Sequence, residues 1–190
     1  MLSPFTRAAI TATLVSIEQA GHREGWDCPP VLFALFDHPA AGEPLLQVDD
    51  TLAEPGLWTV PDPARPGQNL PTAVVLHRFA ADLCAGAAQH WLRQWLRRDG
   101  RTCVGVGLLF EAWAGLVDAG YHHGDLATSS TRREVRVVAA VDAGGGLHRV
   151  IRGRGAQRPA VAVWPEPPAW AGTRRIITGL RRLVQVTTSH

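Results

Sequence analysis

Residues 104–113 read VGVGLLFEAW and residues 134–141 read EVRVVAAV, two apolar runs that a polar loop separates. If they pair as antiparallel strands with Glu111 opposite Arg136, apolar residues face each other at alternate positions, as on a buried sheet face. The pairs on that face are Phe110 with Val137, Leu108 with Ala139, and Val106 with Val141. The other face is mixed, so it is either solvated or half covered. The sequence therefore predicts a central antiparallel hairpin with one face in the core.

The segments around this hairpin predict an α+β fold. The predicted elements are a strand over Val31–Phe36, a short helix within Gly42–Leu52, a helix over Thr72–Arg98 that Gly86 bends or splits, a hairpin over Asp142–Arg152, a strand over Ala160–Trp164 and a helix over Thr173–Val186. We expect one domain over residues 1–190, with a mainly antiparallel sheet of four to five strands flanked by N-terminal, central and C-terminal helices. A Pro-rich loop over residues 54–71 and a Pro-rich connector over residues 165–171 interrupt it.

The N-terminus predicts an amphipathic helix. Ser3 followed by Pro4 is typical of an N-cap with proline at the first helical position. Arg7 followed by the apolar residues 8–17 also has the outline of a secretory signal, but Glu18 follows at once and no small-residue cleavage site is apparent. We therefore favour the helix over the signal.

The composition is typical of a folded globular protein. Hydrophobic residues make up 46% of the chain and charged residues 19%, and no apolar run reaches the roughly 18 residues that span a bilayer. The cysteines are odd in number and form no CxxC pair: Cys28, Cys84 and Cys103. They predict free thiols and a cytoplasmic location rather than disulfides or a zinc site.

Charge is strongly polarised along the chain. All 19 basic residues are arginine, and residues 1–131 carry a net charge of about −6 whereas residues 132–190 carry about +8. Clustered arginines can contact phosphates, so the basic segment over residues 132–190 is a candidate polyanion-binding surface. Its candidate residues are Arg149, Arg152, Arg154, Arg158, Arg174, Arg175, Arg181 and Arg182. The alternatives are a solvated face, or arginines that pair with the acidic part of the same protein.

The most enzyme-like segment is YHHGDL at residues 121–126, which follows the strand bearing Glu111. His122, His123 and Asp125 could serve metal or acid–base chemistry with Glu111. Adjacent histidines point in different directions, however, and neither an HxH nor an HExxH spacing is present. We therefore predict no metal, no cofactor and no catalytic residue. For Glu111 we favour an ion pair with Arg136 over a general acid–base role.

Two tryptophans form a further candidate. Trp91 and Trp95 lie on one face of the predicted central helix and could stack against a ligand. Packing within the protein is the commoner use of such a pair, and we favour it here.

Two local patterns resemble known groups of proteins. Residues 25–35, GWDCPPVLFAL, are similar to a Trp-Asp-x-Pro-Pro-x-Leu-Phe-Ala-Leu opening in an uncharacterised family of actinobacterial proteins. Residues 109–113, LFEAW, followed by residues 132–137, RREVRV, resemble a strand pair in small uncharacterised proteins of high-GC bacteria and their phages. The resemblance implies an actinobacterial or phage origin and a cytoplasmic compartment, and it supplies no catalytic residues.

These observations favour a non-enzymatic binding or accessory protein whose partner is another protein or a second copy of itself, without membrane association. One alternative is a nucleic-acid or polyanion binder that uses the C-terminal arginines. The other is a small hydrolase or metal-dependent enzyme built around Glu111, His122 and His123.

Overall fold

The computed structural model describes residues 2–37, 46–97, 100–114, 133–166 and 174–188. Its helices are α1 (Pro4–Glu24), α2 (Thr72–Leu83), α3 (Gly86–Leu96) and α4 (Arg174–Thr188), with a short 3₁₀ helix over Pro55–Trp58. Its strands are β1 (Val31–Asp37), β2 (Gln47–Asp49), β3 (Thr102–Ala114), β4 (Arg133–Asp142), β5 (Leu147–Gly153) and β6 (Ala160–Trp164). The fold is α+β, as the sequence predicted.

The strands form a single antiparallel sheet in the order β2-β1-β3-β4-β5-β6. Strands β3 and β4 pair with Glu111 opposite Arg136, which confirms the predicted register. The sheet has six strands rather than four to five, because Gln47–Asp49 pairs with the outer edge of β1. The prediction of a helix within Gly42–Leu52 is therefore wrong over Gln47–Asp49. The backbone groups of these residues form hydrogen bonds with β1 instead of within a helix.

Helices cover both faces of the sheet. Leu108 and Phe110 of β3 belong to a core that α2, α3 and α4 complete, and this is the face predicted to be apolar. Ile10 and Leu14 of α1 pack on the opposite face against Phe33 and neighbouring apolar side chains. The mixed face is thus covered by α1 rather than solvated, and its charged residues lie beneath or beside that helix.

Local chemistry explains where the helices begin and end. The Ser3 hydroxyl accepts the Thr6 amide at 3.0 Å, and Pro4 occupies the first helical position of α1. The sequence predicted that Gly86 either bends or splits the long central helix, and the helix is split. Gly86, at φ +54°, begins α3. Glycine adopts this left-handed backbone conformation without strain. No helix within the described residues combines the length and the apolar character needed to cross a bilayer.

Candidate functional site

Glu111 and Arg136 form an ion pair that anchors the loop after α1. The Arg136 side chain is 1% exposed and donates from Nη2 to Glu111 Oε1 at 2.6 Å and from Nε at 3.2 Å. It also donates to the Gly25 carbonyl, and its guanidinium lies 4.7 Å from the centre of the Trp26 ring. The other Glu111 oxygen, Oε2, accepts the Asp27 amide at 2.7 Å. The pair therefore holds residues 25–27 against the sheet, which favours the structural interpretation of Glu111 over the catalytic one.

A second arginine extends this cluster to the surface. Arg154 lies 5.3 Å from the Trp26 ring centre, donates to Glu134, and approaches Asp27 at 3.4 Å. Oxygens of Asp27, Glu111 and Glu134 come within 4.8 Å of one another, a spacing that a cation could bridge. Each of these carboxylates already faces Arg136 or Arg154, and hydrogen bonds to arginine use the oxygens that a metal would need. The cluster is therefore an ion-pair network that reaches the surface at Asp27 and Arg154.

A small cavity lies beside the network. Its volume is about 130 Å³, and its lining combines Leu109 and Phe110 of β3 with Cys28, Glu111 and Arg136. Cavities that hold drug-sized ligands measure about 300–1,000 Å³, so this one has room for a few water molecules rather than for a substrate.

A buried polar chain that the sequence did not predict joins α1 to the β4–β5 turn. His148 Nε2 lies 3.1 Å from Asp142 Oδ2, and His148 Nδ1 lies 3.1 Å from the Thr11 hydroxyl. An acid, an imidazole and a hydroxyl in series resemble a catalytic relay. The side chains of Asp142 and His148 are each 1% exposed, however, so a substrate has no access to them. No sequence pattern indicates this series of side chains, because its members come from positions that meet only after α1 docks.

Asp142 organises the turn itself. Its Oδ1 accepts the amides of Gly144 and Gly146 at 2.8 and 2.9 Å. Burial alone would raise the pKa of Asp142, but the hydrogen bond from His148, the two amides and the charge interaction with His148 outweigh burial and hold that pKa below its usual value. The carboxylate is thus stabilised in its charged form at neutral pH.

The structure separates the eight predicted polyanion-binding arginines into two groups. Arg149 is 3% exposed and lies over the Trp164 ring at 4.8 Å, and Arg152 is 4% exposed. Arg152 donates to both oxygens of Glu18 at 2.7 Å, and Arg154 belongs to the network around Trp26. We therefore remove Arg149 and Arg152 from the candidate surface, because their side chains are buried within the fold.

The other members lie at the surface or outside the described side chains. Arg158, Arg175, Arg181 and Arg182 are exposed, and the side chain of Arg174 is not among those described. A groove of about 360 Å³ runs beside Arg182, between α4 and the junction of α2 with α3. The exposed arginines of α4 thus form a basic face at one side of the molecule.

Two further sets of predicted residues do not form a described site. His122, His123 and Asp125 lie outside the described residues. Trp95 is 6% exposed and packs edge-on against Phe36, with ring centres 5.8 Å apart, whereas Trp91 is 47% exposed. The two tryptophans therefore differ in their surroundings, and Trp95 serves the core.

Strand β6 offers a different kind of site, since it forms one edge of the sheet. It reads Ala-Val-Ala-Val-Trp, without a charged residue, between Pro159 and Pro165. Val161 and Val163 are 47% and 44% exposed. Unprotected strand edges carry backbone donors and acceptors that are available to another strand. Sequence reasoning predicted this strand but not its position at the edge, because strand order is set by the whole fold.

No family model, curated protein or solved structure matches this chain.

Proposed function

We propose that this chain is a non-enzymatic binding protein whose working surface is the outer edge of β6. The observation that carries the proposal is the combination of an edge position, an uncharged strand and two exposed valines, Val161 and Val163. Natural proteins usually protect such an edge with charged side chains, bulges or a covering element. Addition of a strand to an open edge is a common mode of protein recognition, in which main-chain hydrogen bonds supply affinity.

The arrangement of the ionisable groups supports this proposal over an enzyme. In the described part of the chain, three acidic side chains each face a basic partner. The pairs are Glu18 with Arg152 at 2.7 Å, Glu111 with Arg136 at 2.6 Å, and Asp142 with His148 at 3.1 Å. These pairs hold α1 and the loop after it against the sheet. Catalytic groups need access to a substrate. The side chains of Glu18 and Asp142 are 0% and 1% exposed, and Glu111, 13% exposed, borders only the cavity of about 130 Å³.

Hydrogen exchange at individual amides tests whether the edge is open. In dilute protein, the amides of Val161 and Val163 should exchange about 100-fold or more faster than those of Ala162 and Trp164, which face β5. Mass spectrometry with fragmentation that preserves the deuterium label resolves these positions. Equal protection of the two sets in dilute protein would contradict the proposal, because it would mean that the chain covers its own edge.

A second candidate function is polyanion binding through α4. Arg175, Arg181 and Arg182 are exposed, and α4 carries no acidic residue that would neutralise them locally. If this face binds nucleic acid, affinity should fall steeply between about 50 and 200 mM salt, and each arginine removed should lower the log–log slope by about one.

The test compares wild type with a triple variant, Arg175→Ala, Arg181→Ala and Arg182→Ala, in a salt-titrated DNA-binding assay. The control removes three exposed arginines elsewhere, Arg23, Arg65 and Arg78. Loss of binding in the α4 variant alone supports this candidate. Absence of measurable binding by wild type at about 50 mM salt eliminates it.

A further inference from the structure

We infer that the partner of the β6 edge is a second copy of this chain, in an antiparallel pair centred on Ala162; this inference rests on the function proposed above. The observation behind it is that residues 158–166, RPAVAVWPE, are self-complementary about their middle residue. A twofold axis through Ala162 places each residue of the segment opposite a suitable residue of the other copy.

The backbone bonds within the sheet fix which groups of β6 point outwards. The Asp142 amide donates to the Gly146 carbonyl, and the Arg154 amide donates to the Glu134 carbonyl, one bond at each end of the β4–β5 pair. In antiparallel strands, successive residues bond alternately to one neighbour and the other. With the observed register, the β5 residues that bond towards β6 are then Leu147, Arg149 and Ile151.

These three residues lie opposite Trp164, Ala162 and Ala160. The N–H and C=O groups of Val161 and Val163 therefore point away from the sheet. About the proposed axis, Val161 of one copy faces Val163 of the other, so each donates to and accepts from its counterpart. Pro159 faces Pro165 at the ends of the pair, so the residues without an N–H meet each other and no donor is left facing a proline.

The side chains agree with this register. Val161 and Val163 lie on the α1 face of the sheet, in line with Val150 and His148 of β5. In the pair, valines of both copies become neighbours and cover each other's exposed surface. On the opposite face, the small Ala160 lies across from the large Trp164. The main helix contacts with the sheet lie on β3, β4 and β5, so among the described residues no helix covers the flanks of β6 to the same extent.

Charge complementarity supplies the argument for a second copy over another protein. Arg158 and Glu166 are both exposed and lie just beyond the two ends of β6. In the antiparallel pair, Arg158 of each copy lies opposite Glu166 of the other, so two ion pairs close the interface. A parallel pair or a shifted register would not place these opposite charges together. Self-association is thus encoded in the charges as well as in the backbone.

The interface is short, so we expect a weak dimer. Interfaces below about 1,200 Å² are usually transient, and we expect a dissociation constant on the order of 10–100 μM. Sedimentation velocity of the whole chain over a concentration range of about 5–500 μM measures this equilibrium. The Val163→Pro variant tests the backbone step, since it removes an outward N–H and leaves the bonds to β5 intact. It should weaken dimerisation about tenfold or more, with unchanged far-ultraviolet circular dichroism.

A charge swap tests the register. Arg158→Glu or Glu166→Arg alone brings like charges together at both ends and should raise the dissociation constant about tenfold. The double variant, Arg158→Glu with Glu166→Arg, should restore it to within about twofold of wild type. Arg65→Glu and Glu54→Arg change exposed charges elsewhere and serve as matched controls that leave the dimer unchanged.

A wild-type chain that stays monomeric up to about 500 μM would overturn the inference. If the Val161 and Val163 amides still exchange fast in that case, the proposed binding edge stands and the partner is a different protein. If those amides are protected in dilute monomer, both proposals fail. A dimer that tolerates Val163→Pro, or a double charge variant that does not recover, would also overturn the inference, because the dimer would then use another surface or register.

Discussion

Glu18 is an acidic side chain without solvent exposure, and it depends on Arg152 for its counter-charge. The hydrogen bonds from Arg152 to Glu18 raise the pKa of that arginine further, despite burial, so the guanidinium stays charged. Glu18→Ala would leave the Arg152 guanidinium buried without a counter-charge. We expect a loss of about 3–5 kcal/mol in the free energy of unfolding by urea. Glu24→Ala, exposed on the same helix, is the control and should cost less than about 0.5 kcal/mol. A loss below about 1 kcal/mol in Glu18→Ala would show that the pair is not closed in solution.

Gly107 lies where a side chain has no room, and its backbone angle does not itself require glycine. A Cβ atom there would lie 2.4 Å from a ring carbon of Phe33 and 3.0 Å from the Ala139 carbonyl oxygen. The ring of Phe33, which lies opposite Gly107 on the neighbouring strand β1, occupies the space that a side chain would need. Gly107→Ala should therefore destabilise the protein by about 1–3 kcal/mol in urea unfolding. Gly56→Ala, where a Cβ meets nothing within 4 Å, is the matched control, and an equal effect of both changes would contradict the packing argument.

At the scale of elements, the β4–β5 turn links stability to acid pH. The pKa of Asp142 lies below its usual value of 3.8 in the folded protein, so the folded state binds its proton less readily than the unfolded state. Its contribution is complete above about pH 4 and is lost as pH falls through the lower folded pKa. Wild type should therefore lose its stability advantage over Asp142→Asn as pH falls below about 4, measured by urea unfolding at a series of pH values. Asp50→Asn, at an exposed site, is the control, and an advantage that stays constant as the pH falls would contradict the prediction.

Elements with a strong local pattern were predictable from the sequence, and elements that depend on neighbours were not. The split between α2 and α3 follows from Gly86, and the β3–β4 register follows from the apolar alternation. The short strand β2 carries little pattern of its own, since its pairing with β1 decides its conformation. Tertiary contacts override local propensity most readily in such short segments.

At the scale of the whole molecule, the polarised charge of the sequence is partly a packing device. Glu18, Asp27 and Glu111 of the acidic part pair with Arg152, Arg154 and Arg136 of the basic part. The sequence predicted the Glu111–Arg136 pair, because both residues lie on neighbouring strands of one hairpin. It could not predict Glu18 with Arg152, because nothing in either segment specifies which face of the sheet α1 covers. Which distant residues pair is decided by how the helices pack on the sheet.

Cys103 reports on the stability of the whole molecule because β3 lies inside the sheet, between β1 and β4. It is 7% exposed, and burial raises its thiol pKa to about 12, despite the opposing effects of a hydrogen bond with the Gly105 backbone and of the Arg101 charge. Native Cys103 should therefore resist alkylation at about pH 8, since the thiolate is the reactive form. Reaction then requires β3 to separate from its neighbours, which is global unfolding.

With Cys28→Ser and Cys84→Ser removing the two half-buried thiols, the rate of Cys103 labelling should give the free energy of unfolding. This value should agree within about 1 kcal/mol with the value from tryptophan fluorescence in urea, provided that reclosing is faster than labelling. The match should persist when the reagent concentration is changed, because the open population then controls the rate. A labelling free energy far below the fluorescence value would contradict the prediction, since it would mean that the Thr102 end of β3 opens while the rest of the sheet stays folded.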